Sequence, residues 1–186
     1  MTDATYLAGR LLLAMPGMGD PRFDHAVIAM IQHDADGALG LGIGHEVDDL
    51  TLHTVLADQG IDPGAAPDVP VLYGGPVETQ RGFVLHSADW QGRGTIHAGA
   101  LGAMSMSRDV LEAIAAGTGP GRFVVVLGYA GWGAGQLDGE MRRHGWFAAQ
   151  GRAGIVYDTV ADDRWKAAWR AEGIDPALLA SETGRA

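Results

Sequence analysis

The stretch GYAGWGAGQLDGE, Gly128 to Glu140, places five glycines in thirteen residues directly behind the apolar run RFVVVL. A strand feeding a glycine-rich corner and then a helix is the usual address of a bound phosphate, because backbone N–H groups at such a corner point at the anion. The spacing required for that chemistry is missing. Read from Gly131, the dinucleotide pattern G-x-G-x-x-G reaches Gly133 and then meets Gln136; read from Gly133, it reaches Gly135 and then meets Asp138. A P-loop needs a lysine followed by serine or threonine, and the only lysine in the chain is Lys166. Asp138 and Glu140 would also oppose an anion at the start of the following helix. The glycines therefore read as backbone geometry, a positive φ or a close approach of main chains at a strand-to-helix corner.

Other groups fare no better as chemistry. Gln136, Glu140 and His144 recur every four residues, with Arg143 beside them; such a stripe could line a cleft, and more often is a solvated helix face closed by Glu140–Arg143 pairing. His25 and His33 can share one face of a strand, and His45 follows. Neither H-E-x-x-H nor a calcium loop is present, since Gln32 and Ile43 fall where a calcium loop needs its first and its bidentate ligand. No G-x-S-x-G elbow occurs. His86 and Ser87 are adjacent, so on a strand they point to opposite faces and form no activated pair. No metal and no cofactor is expected, and no catalytic residue is assigned.

Composition narrows the partners. The net charge is −10, with thirteen basic residues against twenty-three acidic ones. Tight nucleic-acid binding draws on clustered cations, and here the only adjacent basic pair is Arg142–Arg143, so direct nucleic-acid binding is disfavoured. The absence of cysteine removes disulfides, thiolate metal sites and cysteine nucleophiles. The N-terminus lacks a basic signal region, and the uncharged stretch Phe123 to Leu137 is too short for a bilayer, so a cytoplasmic location without membrane contact is expected.

These residues must be positioned by strands expected at 7–15, 26–33, 38–44, 69–74, 82–87, 123–128 and 154–158. DADG at 34–37 predicts a hairpin between the second and third. Helices are expected at 50–59 behind the caps Asp48 and Asp49, at 107–117 behind Ser107, at 134–146 and at 162–173. ADQGIDP and RAEGIDP repeat one helix-stop chemistry, with Gly60 and Gly173 just past the helical pattern. Strands and helices do not alternate regularly, which argues for an α+β domain with a mixed or mainly antiparallel sheet. One domain over 1–186 is expected, with 62–70 as a loop and 181–186 as a flexible tail.

Taken together, the stretches 8–43 (with MPGMGDPRF and GALGLGI), 71–87 (VLYGGPVETQRGFVLHS), 107–120 (SRDVLEAIAAGTGP) and 127–146 (LGYAGWGAGQLDGEMRRHGW) resemble the AlgH/YqgE family of small bacterial proteins, and the resemblance continues through 155–184. It implies a single α+β domain with a curved, barrel-like sheet flanked by helices. It also implies a label of transcriptional regulator, without agreed catalytic residues, cofactor or ligand. Where family members often carry an asparagine, a basic residue and a proline after the GALGL strand, this chain has His45–Glu46.

The family motifs mark a candidate binding surface: Pro16, Met18, Asp20, Phe23 and His33; Gly74, Gly75, Pro76 and His86; and Gly128, Tyr129, Trp132, Gln136 and Glu140. Met15, Met18, Phe23 and Trp132 are more often core or interface than cofactor contacts; exposed together they would make an adaptable apolar patch for an unidentified protein or small molecule. The expected function is a non-enzymatic regulatory or binding module. The alternatives are a hydrolase or isomerase using His33 or His86 with Glu140 or Asp20, and a DNA-associated regulator.

Overall fold

The computed structural model describes residues 6–18, 20–143 and 145–180. The expected tail, 181–186, lies outside the described residues. Among them run the strands β1 (Leu11–Ala14), β2 (Val27–Asp34), β3 (Gly37–Gly42), β4 (Glu46–Thr51), β5 (Pro70–Tyr73), β6 (Val77–His86), β7 (Ile96–His97), β8 (Ala103–Ser105), β9 (Phe123–Gly133) and β10 (Trp146–Ala149). The helices are α1 (Leu52–Asp58), α2 (Arg108–Ala115), α3 (Gln136–Arg142), α4 (Ala153–Tyr157), α5 (Ala161–Ala171) and α6 (Pro176–Ala180), with short 3₁₀ turns at Pro21–Phe23 and Gly99–Leu101.

The ten strands join in one sheet, ordered β10-β1-β2-β3-β9-β6-β8-β7, with β5 added beside β9 and β4 beside β5. Every pairing is antiparallel except β5 with β9, where Val71 lies opposite Val125. The sheet is therefore mixed and mainly antiparallel, within an α+β fold, and it is not closed into a barrel.

Apolar alternation explains the layers. In β1 and β2 both faces are buried. Leu11, Leu13, Val27, Ala29 and Ile31 face one core with Trp165 and Trp169 of α5. Leu12, Ile28 and Met30 face a second core with Trp132, Leu137 and Trp146. Strands covered on both sides read as unbroken apolar runs, which is what LLLA and VIAMI are. A third core sets Leu52 and Leu56 of α1 and Val110 and Ile114 of α2 against Val71, Val84 and Val125.

The DADG hairpin is present: Asp34 pairs with Gly37, and the Asp36 N–H donates to Asp34 Oδ1 at 2.8 Å. Gly60 and Gly173 both take left-handed φ values, 67° and 77°, just past α1 and α5.

Four expectations about elements are corrected. Residues 154–158, expected as a strand, fall in α4 as far as Tyr157, with Asp158 just past its end, because Ile155 and Val156 pack into the core with α5. Asp48 and Asp49 cap no helix; they lie in the polar strand β4, and Thr51 is the residue before α1. The helix expected to run to 146 ends at Arg142, and Trp146 opens β10 against β1. The supposed glycine loop is largely strand, because β9 continues through Gly133.

Gly128, with φ 74°, marks the bend of β9. Before it, β9 pairs with β5 and β6; beyond it, Tyr129 still pairs with Val77 of β6, and Ala130 to Gly133 pair with β3. The long strand thereby delivers Trp132 to α3 and the segment ahead of β2.

Candidate functional site

A carboxylate organises the region where the first and third motifs meet. Glu140, on α3, accepts the indole N–H of Trp132 and the indole N–H of Trp146 on the same oxygen, Oε2, each at 3.0 Å. Its other oxygen accepts from Gln136 Nε2 at 3.2 Å, while Gln136 Oε1 accepts the Gly133 N–H at 3.0 Å. Three donors from three elements thus converge on one side chain. The expected Glu140–Arg143 pairing is absent among the described residues, since the carboxylate is committed to the two indoles. His144, the third member of the expected stripe, lies outside the described residues.

The local sequence explains the arrangement. Gly135, with φ 68°, turns the chain from β9 into α3, a conformation that favours glycine. The four-residue period of the helix then puts Gln136 and Glu140 on one face, towards the tryptophans. Opposite, Asp20 caps the 3₁₀ turn Pro21–Phe23, its Oδ1 accepting the Arg22 N–H at 3.0 Å, with Pro21 at the first position. The Arg22 guanidinium forks onto both Asp20 oxygens, closing to 2.6 Å, and holds that carboxyl below its usual range. Phe23 then meets Trp146 edge-on, ring centroids 5.5 Å apart. Between these walls opens a cleft of about 320 Å³. Met18, Phe23 and Trp146 supply its apolar lining, and Asp20, Glu140 and Arg143 its charged rim.

The glycine corner borders this cleft through Phe23, which also lines a small depression floored by Gly74 and Gly75. There the Gly42 N–H donates to the Gly74 carbonyl and the Gly74 N–H to the Leu127 carbonyl, each at 2.7 Å. A Cβ on Gly74 would run into the Gly128 carbonyl, and one on Gly75 into Tyr129 backbone. Main chains nest there too closely for side chains.

The remaining candidates disperse. Pro76 is exposed, whereas Gly74, Gly75, Gly128 and Trp132 are buried, so an exposed surface containing Trp132 does not exist. Trp132 belongs to the second core because β9 continues as a strand through it. Pro16 lines a separate cleft near Trp165, and Tyr129 packs edge-on against Phe83. His33 is buried; its Nδ1 accepts the Leu7 N–H at 3.1 Å, and Nε2 lies 3.8 Å from Asp138. His86 is fully buried. Its Nδ1 donates to the Ser87 carbonyl at 2.8 Å, so Nε2 accepts from Ser105 Oγ at 2.9 Å, and Ser105 accepts in turn from Thr95 Oγ1 at 2.8 Å. Burial pushes the His86 imidazole below its ordinary value. Among the described residues neither histidine contacts Glu140 or Asp20 by hydrogen bond or ion pair, so the four acid–base pairs considered from sequence do not form. Trp146, missed from sequence, was hidden by assignment to the end of a helix.

A bent, open, mainly antiparallel sheet carrying helices on its faces, with a carboxylate-pinned aromatic cleft, defines the class: a small α+β protein of the AlgH type. The AlgH-like family model matches residues 11–177, and the chain belongs to that family. It is similar to a UPF0301 protein of Novosphingobium aromaticivorans, 65% identical over the whole of both chains, and to one of Rhizorhabdus wittichii, 55% identical over 97% of each. The solution structure of the AlgH protein from Pseudomonas aeruginosa superimposes with a TM-score of 0.79 at 39% identity, covering 100% of this chain and 99% of that one. A crystal structure from Corynebacterium diphtheriae shares the fold, with a TM-score of 0.74 at 21% identity over 94% and 91% of the two chains.

Proposed function

We propose that the protein is a non-enzymatic docking module that works in the cytoplasm and receives an apolar anchor of a partner protein in the cleft between Met18 and Trp146. The observation that carries this reading is the use of Glu140. Its oxygens hold Trp132, Trp146 and Gln136 in place, which supports a positioning role, and among the described residues no histidine bonds to it to share a proton. The lining combines a flexible thioether with two aromatic rings, a surface that adapts to an apolar side chain. Arg143 is exposed on the rim without an ion-pair partner among the described residues, and it is available to an acid flanking the anchor.

The chain has no cysteine, so Arg143→Cys gives a single thiol for a photo-crosslinker at the rim. The expected result is an adduct with a reproducible partner, competed by excess wild type and not by a folded Met18→Asp variant. Absence of any competable adduct, or equal competition by Met18→Asp, would defeat the proposal.

A further inference from the structure

Arg164 stands apart from every other charge in the protein. It lies in the first turns of α5 and is 5% exposed, yet no carboxylate pairs with it among the described residues. Its Nε donates to the Ile155 carbonyl at 3.2 Å and its Nη1 to the Ile43 carbonyl at 2.6 Å. The Nη2 edge of the guanidinium has no acceptor there. A guanidinium carries donors in a planar fork that matches a carboxylate, so an unmatched edge is a recognition surface. Among the described residues, Trp169 Nε1 is the side-chain nitrogen that is both sealed and unpartnered, so the free edge of Arg164 keeps access to solvent.

That access is a cleft of about 330 Å³ between β5 and the turn joining α4 to α5. Its volume sits at the lower end of the range for small-molecule sites, roughly 300–1,000 Å³. Leu72, Phe123 and Val160 give it apolar walls, and Val160 is 67% exposed, an open apolar lip. Val160 is also the residue that precedes α5, and no side chain caps that helix start. The positive end of an eleven-residue helix therefore faces the same space as the guanidinium.

Two acids temper the field. Asp158 lines the cleft but is bound by Arg122 at 3.0 Å. Glu46 lines it with no ion pair among the described residues and acts on Arg164 through space. Asp162 and Asp163, in the first turn of α5, are exposed and do not line the cleft. Glu46 repels any anion there, a dianion about twice as strongly as a monoanion, and the one guanidinium beside the helix start offsets a single negative charge better than two.

We propose that this cleft binds a small monocarboxylate with an apolar body, the carboxylate accepting from the unmatched Nη2 of Arg164 at the start of α5 and the body against Leu72, Phe123 and Val160. The site is separate from the Met18–Trp146 cleft and does not depend on its function.

Phenylacetate is the probe, with phenylacetamide as its uncharged match and phenyl phosphate as the dianion, each titrated into the full chain by calorimetry and by methyl NMR. Phenylacetate is expected to bind and to shift the Val160 and Leu72 methyl signals. The amide and the dianion are each expected to bind at least about tenfold more weakly, consistent with loss of a charge-assisted bond in the one case and repulsion in the other. Arg164→Lys should weaken binding, but Arg164 also ties Ile43 to Ile155, so Val160→Trp provides the second variant. It fills the mouth from an exposed position, keeps Arg164 and should abolish phenylacetate binding while the thermal midpoint stays near wild type. No phenylacetate binding to wild type, equal affinity for the amide, or unchanged affinity in a folded Val160→Trp variant would overturn the proposal.

Discussion

Trp146 donates its indole N–H to Glu140 at 3.0 Å, joining the edge strand β10 to α3. Trp132 makes the same bond to the same oxygen from β9, so one carboxylate fixes the relative position of three elements. Glu140→Ala removes the acceptor from two largely buried donors, and charge-assisted bonds of this kind contribute roughly 1.5–3 kcal/mol each. A loss of about 3 kcal/mol is expected in urea denaturation followed by tryptophan fluorescence. Glu140→Gln keeps an acceptor and should lose less than half as much. Equal stability of the alanine variant and wild type would refute the pinning role.

The two kinds of glycine separate experimentally. Gly60 needs only its left-handed φ, since nothing lies within 4 Å of an added Cβ. Gly74 needs the space, because the Gly128 carbonyl and Val126 occupy the position. Gly60→Ala should cost about 1 kcal/mol and Gly74→Ala at least about 2 kcal/mol more, compared by thermal unfolding.

Burial gives His86 a direction in pH. Its folded-state value is lowered from 6.5 chiefly by desolvation, so the unfolded chain takes up the proton first. The contribution to stability is complete above pH 6.5 and declines as pH falls below it towards the folded value. Asp20, Asp68, Asp89 and Asp109 are lowered from 3.8 by their hydrogen bonds, so their contributions are lost only in more acidic solution. Urea midpoints should therefore fall between pH 7 and pH 5 in wild type and fall less in a folded His86→Gln variant. A parallel decline in both proteins would locate the sensitivity elsewhere.

Arg164→Met should destabilise through the two carbonyls it leaves behind, Ile43 just past the end of β3 and Ile155 on α4. About 2 kcal/mol is expected from their combined loss. Local opening of α4 should be visible as faster amide exchange at Ile155 and Val156. Unchanged exchange in that variant would remove Arg164 as the tie between helix and sheet.

What could be read from sequence follows a physical boundary. The Asp34–Gly37 turn, the helix stops at Gly60 and Gly173, and the strands within 7–15 and 26–33 are encoded locally and legible, whereas the burial of both their faces is not. The segment GIVYD was not legible, because a short apolar run fits a strand and a buried helix turn equally well, and the core it shares with α5 decides. The strand EVDDLT has only Val47 and Leu50 as apolar residues and pairs with β5 alone. The family resemblance placed the first and third motifs on a surface. The meeting of Asp20, Phe23 and Glu140 depends on the bend of β9, and the burial of Trp132 and His86 follows from long-range packing that no local pattern records.

β9 hydrogen-bonds to β3, β5 and β6 along its length, and its two halves stand in different cores. Neither end of the sheet can come apart alone without stranding part of that backbone. Melting should accordingly be a single event, and the amides of Val125 and Val126 should be the last in the molecule to trade their protons for deuterium.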